Sequence, residues 1–381
     1  MIWLLAAFAA SLSVSPSRPS HVVPEPLHGI HRVLFLGDSI TYAGEYVDIV
    51  QTWLAIHEPA SEIKIYDLGL PSETVSGLSE PGHAGGAFPR PELRERLDRT
   101  LAAIKPNLVF ACYGMNDGIY YPLGDDRFEK YKTGIRELQA KCKQSGARLI
   151  LMTPPPFDSE PIRASTLPAG LSAYPQPYVG YDDVLAAYAK WLLTLRREGQ
   201  QVIDLHTPLR SYLDQARLTD KAFRFAGDGV HMNSLGHYIA AREILNVLGA
   251  HRVTQTVVAT LAADKLAAKT DEHSSDNLSI DVQVRPLMPL DSSLGLAPAD
   301  LAIEVAKYDR LILKFPHARA DRKYRLDLPN GPLTVSGVSL AAGIDLTPYA
   351  STLLPQAKEI ASAVHTIRST LRTVALISAP L

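Results

Sequence analysis

His31 to Thr41 reads HRVLFLGDSIT, and this stretch decides how the chain is interpreted because an unbroken apolar run ends on a serine. Val33 to Leu36 suits a strand buried on both faces, as in a parallel sheet. Gly37 stops the strand. A helical pattern follows from about Glu45, with Val47, Val50 and Leu54 on one face. Ser39 is therefore expected at the carboxyl edge of an open α/β sheet, where such folds bind ligands. The alternative is purely local, with Asp38 and Ser39 capping the next helix.

Working outward, further strands are expected over Glu62 to Leu70, Asn107 to Tyr113, Ala147 to Thr153 and Gln201 to Leu205. Helical patterns separate them. One runs from Glu92 to Lys105. A second is capped by Asp125 or Asp126 and places Phe128, Tyr131, Ile135, Leu138 and Cys142 on one face; a third carries Val184, Tyr188, Trp191 and Leu195. Short apolar strands alternating with amphipathic helices predict a parallel sheet with helices on both faces, within a domain spanning 30–250. Two long irregular segments interrupt it, Pro71 to Pro91 and Asp158 to Gly180. Segments of this length are more often functional than passive.

Beyond His251 the pattern changes. An alanine-rich helical run (Val253, Val257, Leu261) and a polar linker, Thr270 to Asn277, precede three alternating stretches. These are Leu278 to Val284, Leu311 to Phe315 and Tyr324 to Leu328. Asn330-Gly331 signals a turn, although Pro329 and Pro332 argue against a tight two-residue hairpin. A terminal helix would place Ala357, Ile360, Val364, Ile367, Leu371 and Val374 on one face. Residues 270–381 thus read as a small antiparallel β module with a packing helix, and nothing in them reads as catalytic.

The 381 residues are 46% hydrophobic and 20% charged, an ordinary globular composition that can bury a sizeable core and an appendage. A formal net charge of -2 gives no basic footprint, so neither nucleic acid nor an anionic membrane surface is expected as a partner. Ile2 to Val14 is apolar but too short for a bilayer span, and Ala7-Phe8-Ala9 is a small-x-small cleavage pattern. Residues 1–20 are accordingly expected to be a signal peptide and linker, with a secreted or periplasmic product. Only Cys112 and Cys142 occur, both as core fillers, so no disulfide framework is expected.

Three more polar clusters follow predicted strands: Asp67 to Thr74, Gly114-Met115-Asn116-Asp117 and Asp228-Gly229-Val230-His231-Met232-Asn233. In a parallel sheet they emerge on the same edge as Ser39. Serine attack on an acyl group needs a base, an acid orienting that base, and donors for the developing oxyanion. Ser39, His231, Asp228 and Asn116 supply one of each. Taken singly, each has a bland reading as a cap, a buried histidine or a turn former; their joint occurrence at strand ends favours chemistry.

In Gly37-Asp38-Ser39-Ile40, Gly114-Met115-Asn116-Asp117 and Asp228-Gly229-Val230-His231, in this order over about Arg32 to Leu248, the chain resembles the SGNH or GDSL hydrolases. The resemblance implies a three-layer α/β/α flavodoxin-like fold carrying the β-rich and helical appendage. It implies Ser39 as nucleophile, His231 as base and Asp228 as its partner. The oxyanion donors would be the Ser39 backbone N–H, a second-block backbone N–H and the Asn116 side chain. The second block departs from the family pattern of asparagine, then a glycine followed by Asp-Thr. Here Asp67 precedes Ser72-Glu73-Thr74, so the backbone donor is Ser72 or, alternatively, Gly69.

The expected activity is that of a serine esterase, with carbohydrate O-acetyl esters as first substrate class and no cofactor or metal. Asp38, Tyr113, Asp117, His83 and Arg90 are the candidates for substrate binding; Tyr113, Tyr120, Tyr121 and the loop His83 to Arg90 would line a sugar-stacking cleft. The alternatives are a lysophospholipase or thioesterase, a metal-dependent phosphoesterase using Gly37-Asp38, Asn116-Asp117, Asp228, His231 and His237, and a non-catalytic envelope or carbohydrate-binding protein.

Overall fold

The fold is described from a computed structural model. It describes residues 8–16, 25–57, 62–168, 175–249, 253–258, 278–284, 309–328, 331–349, 359–368 and 370. In chain order, β1 is Phe8–Pro16, β2 is Arg32–Gly37, and α1 (Ser39–Ala43) and α2 (Glu45–His57) follow. Next come β3 (Lys64–Asp67), α3 (Arg94–Ile104), β4 (Leu108–Cys112), α4 (Asp125–Gln144) and β5 (Arg148–Met152). After these come α5 (Tyr181–Thr194), β6 (Gln201–Ile203), α6 (His206–Thr219) and α7 (Ser234–Val247).

The apolar run that opens the chain's core is the middle of β2, where Leu34, Phe35 and Leu36 are fully buried. β2 through β6 form a wholly parallel five-stranded sheet in the order β3-β2-β4-β5-β6, flanked by helices. Counted along this sheet alone, the order is 2-1-3-4-5, the flavodoxin-like arrangement. The order reverses between β2 and β4, so the loops after these two strands border the crevice that such folds use for ligands. Phe35 and Phe110 stack at 4.8 Å across this central pair. Cys112 and Cys142 are both buried and free.

The chain divides into two units, and this sheet belongs to the one that holds residues 23–51, 60–250 and 364–381. The other comprises residues 1–22, 52–59 and 251–363. In it, β7 (Val253–Val258), β8 (Leu278–Val284), β9 (Asp309–Lys314), β10 (Lys323–Leu328) and β11 (Gly331–Ser336) precede α8 (Gly337–Ala342) and β12 (Ile344–Asp345). The last helix, α9 (residues 359–368), spans the boundary between the units.

Several expectations for this region are corrected. Val253–Val258 is a strand rather than a helix: Val253, Thr254, Thr256, Val257 and Val258 are β-branched, which favours extended backbone. The sheets are mixed, not antiparallel. β1 lies between β8 and β10 and is parallel to both, while β9 is parallel to β7. β10 and β11 pair closely enough that Leu328 opposes Gly331; Pro332 is tolerated because β11 is an edge strand. The unit also contains β1, inside the stretch read as an export signal, whose residues 1–7 and 17–20 lie outside the described residues. The linker Thr270 to Asn277 and the helical positions Ala357, Leu371 and Val374 lie outside them as well. Among the described residues, no helix is long and apolar enough to cross a membrane.

Candidate active site

Ser39 begins α1 directly after β2, and the N-cap of that helix is Asp38, whose Oδ1 accepts from the Ile40 N–H at 2.9 Å. His231 comes from the loop between α6 and α7. Its Nε2 lies 2.8 Å from Ser39 Oγ. Its Nδ1 lies 2.6 Å from Asp228 Oδ2. The two residues need no long excursion of the loop to meet: Asp228 Oδ1 accepts from the backbone N–H groups of Val230 and His231 at 3.0 and 2.8 Å, closing a tight turn that presents the ring to the other carboxylate oxygen. The short bridge between Ala226 and Met232 closes the loop base.

The electrostatics couple the His231 ring to a half-exposed carboxylate. Asp228 is pushed up by burial, but the His231 ring and the two backbone donors outweigh this and hold it well below the usual carboxylate range. The hydrogen bond that the ring donates to Asp228 raises His231 above its ordinary 6.5, against partial desolvation. Asp38 is buried and pushed up to about 7, chiefly by desolvation, with the Ile40 N–H pulling it down and Asp117 pushing it further up.

The second block follows β3. Ser72 takes φ of +65°, the left-handed conformation that the family's glycine would adopt without cost, and is half-buried. Gly69 is accounted for otherwise: a Cβ there would lie 2.2 Å from the Tyr42 N, and its own N–H donates to Asp67 Oδ1 at 3.2 Å. Glu73, fully buried, is held by Arg96 through both oxygens and accepts from Tyr113 Oη at 2.6 Å.

Asn116, after β4, turns its amide oxygen toward Arg90 Nη1 at 2.9 Å and Tyr120 Oη at 3.2 Å. Its Nδ2 makes a long contact of 3.5 Å with the Glu73 carbonyl.

Of the residues expected to bind substrate, Asp38, Tyr113, Asp117 and Arg90 point into the protein instead of lining a cleft. Asp117 Oδ1 accepts from the Val75 and Ser76 N–H groups, and burial lifts its carboxyl to about 6. Tyr113 and Tyr120 are each 1% exposed, so neither offers a sugar-stacking face. His83 is buried, packs edge-on to Phe88 and places Nδ1 2.9 Å from the Phe88 carbonyl. Tyr121 is half-buried under the Arg127 guanidinium. His237 is buried against Tyr46 and depressed to about 3 by desolvation, with Arg368 and His231 adding to it.

Sequence reasoning missed the pairings that hold the site. Glu73 and Arg96 are 23 positions apart, and Glu80 and Arg90 are 10 apart. Asp158 donates its N–H to the Gly229 carbonyl in the triad loop and pairs with Arg217 at 2.7 Å. Farthest in sequence, Arg368 of α9 reaches Asp67 Oδ2 at 3.1 Å and Asp48 Oδ2 at 2.8 Å. Its guanidinium occupies the space beside Gly44, where a Cβ would stand 1.9 Å from Nη1. The available signal was weak: among these residues only Asp48 and Asp67 sit in apolar stretches, where a charge implies a buried partner without saying which. Among the described residues, no group of three or more His, Cys, Asp or Glu side chains is placed to hold a metal ion.

Comparison with known proteins adds three findings. A family model described as "GDSL-like Lipase/Acylhydrolase family" matches residues 35–239, more than half of the chain. Among solved structures, the chain is similar to "BT4096 a gut microbial diltiazem-metabolizing enzyme", with a TM-score of 0.65 and 17% identity over 94% of this chain and 80% of that one. It also resembles an acetyl-xylooligosaccharide esterase from Geobacillus stearothermophilus, with a TM-score of 0.42 and 21% identity over 59% of this chain and 97% of that one. No curated protein sequence matches.

Proposed function

The chain belongs to the GDSL-like lipase/acylhydrolase family, an ester-hydrolysing family, and on that footing we propose that it is a serine esterase working through an acyl-enzyme. The observation that carries this reading is the continuous chain Asp228–His231–Ser39, with links of 2.6 and 2.8 Å. Ser39 Oγ attacks the acyl carbonyl as His231 Nε2 takes its proton. Asp228 holds the ring's tautomer and stabilises the imidazolium. The carbonyl oxygen, now negative, is met by the Ser39 N–H, the Ser72 N–H and Asn116 Nδ2. His231 returns the proton to the leaving alcohol and then activates the water that releases the acid.

For substrate, the reading is a short acyl ester of a bulky polar alcohol, a carbohydrate O-acetyl ester first. It is supported by the openness of the dyad, whose His231 and Asp228 side chains are 42% and 40% exposed, leaving room for a large leaving group. Export to the periplasm or beyond is part of the same proposal, resting on the apolar run Ile2 to Val14.

The test is hydrolysis of p-nitrophenyl acetate and p-nitrophenyl octanoate by wild type and Ser39→Ala, with EDTA as control. Loss of activity in Ser39→Ala, EDTA indifference and preference for acetate are expected. Activity that survives Ser39→Ala, or disappears with EDTA, overturns the serine mechanism. A preference for octanoate would favour a lysophospholipase or thioesterase.

A further inference from the structure

Arg90 was expected at the substrate, yet its side chain is 2% exposed and faces Asn116 from inside the protein. Two sides of its guanidinium are engaged by Glu80: Nε donates to Oε2 and Nη2 to Oε1, each at 2.7 Å. Glu80 is equally buried. The remaining Nη1 donates to Asn116 Oδ1, which also accepts from Tyr120 Oη. The Tyr120 ring lies 5.5 Å from the guanidinium carbon. The Arg90 backbone N–H is in turn held by Ser79 Oγ at 2.9 Å.

Two consequences follow from this geometry. An amide oxygen that accepts from two donors cannot exchange places with its nitrogen, so Nδ2 has one stable orientation. A charged donor on the oxygen also draws electron density from the amide, and hydrogen bonds that polarise one another in this way strengthen in a low-dielectric setting. Both favour a strong donor at Nδ2. A neutral pair such as Arg90–Glu80 achieves this without leaving a net charge beneath the site.

We propose that Arg90 is a positioning residue of the oxyanion site, acting through Asn116. The irregular segment Pro71 to Pro91 then has a mechanical purpose, which is to carry Glu80 and Arg90 into place behind that amide. The proposal rests on the esterase reading above.

The experiment is a double-mutant cycle on p-nitrophenyl acetate, reading kcat and KM separately. Arg90→Met leaves Glu80 buried and unpaired and is prone to misfold. The variant of choice is therefore Glu80→Met with Arg90→Met, because replacing a buried pair by apolar side chains of similar size is often neutral for stability. We expect this variant to melt as the wild type does, with kcat lowered roughly 10-fold to 100-fold and KM little changed. In an Asn116→Ala background the same two substitutions should cost nothing further, because the group they act through is gone. A merely structural role would lower activity equally in both backgrounds, and that result, or a wild-type kcat in the pair-free variant, overturns the proposal while leaving the esterase reading intact. Full kcat in Asn116→Ala alone takes Asn116 out of the oxyanion site and overturns the proposal, while the esterase reading stands or falls with Ser39→Ala.

Discussion

Arg96 closes on both carboxylate oxygens of Glu73, at 2.5 and 2.6 Å, while its Nη2 also donates to the Leu68 carbonyl at 2.8 Å. One guanidinium thereby ties together the two ends of the turn in which Ser72 is held at φ of +65°. Removing it in Arg96→Met should strand a buried carboxylate and cost about 3–5 kcal/mol of stability. Urea denaturation measures this directly.

Ser72 pays for its left-handed backbone, and Ser72→Gly should remove that cost. The variant keeps the backbone N–H proposed to face the oxyanion. A gain of about 1 kcal/mol in stability with kcat unchanged is expected. A large fall in kcat would instead assign a role to the Ser72 hydroxyl.

The pH profile should report His231. Its base form is required, and Asp228 raises its pKa, so kcat/KM should climb with pH through a midpoint above 6.5 and be lost below it. Asp228→Asn should move that midpoint down toward 6.5 and reduce kcat on the order of 10⁴-fold. Steady-state rates from pH 5 to 9 in both proteins give the comparison.

Asp38 should leave its mark on stability rather than on turnover. Folded, it holds a proton up to about pH 7; unfolded, only to its ordinary 3.8. The folded state therefore binds more protons between these values, and the contribution of Asp38 to stability declines as pH rises from about 4 to 7. Asp38→Asn keeps an acceptor for the Ile40 N–H and should gain on the wild type across that window, whereas Asp38→Ala should lose about 1 kcal/mol as the cap disappears. Urea melts at pH 4.5 and 7.5 distinguish these outcomes.

The proposed export is tested by fractionating expressing cells and reading the N-terminus of the protein by mass spectrometry. Cleavage after Ala9 would remove Phe8 and Ala9, which pair with Tyr324 and Arg325, and would spare the ladder from Ala10 with Leu278 to Pro16 with Val284. A product beginning at Ala10 outside the cytoplasm is expected; an uncleaved chain retained in the cytoplasm would refute export.

Legibility followed the range of the interactions. The strand before Ser39, the alternation that makes the parallel sheet, and the spacing of Asp228 from His231 are local patterns, and each appears in the structure where the residues indicate. Tyr113 and Asp117, after a strand, and Arg90, in the long segment Pro71 to Pro91, were expected at the substrate because a polar residue in such a place looks the same whether it faces a cleft or a buried partner. The pairing of Arg96 with Glu73, and of Arg368 with Asp67, depends on tertiary packing that has no local signature. Val253 to Val258 shows the remaining ambiguity: valines four apart satisfy a helix and a strand alike, and β-branching decided between them.

The return of Arg368 to Asp48 and Asp67 bears on how this protein could be shortened or shuffled. Residues 251–363 of the β unit fall between two parts of the parallel-sheet unit, 60–250 and 364–381, so they are not a tail appended to it. Ending the chain near residue 250, as the extent of the family match invites, would remove the guanidinium from beside Gly44 and leave two carboxylates facing a hollow next to α1. A minimal enzyme would therefore have to rejoin residues 364–368 to the truncated domain, or neutralise Asp48 and Asp67 together. The same linkage limits exchange of the β unit for another: a replacement must bring the chain back to the same place.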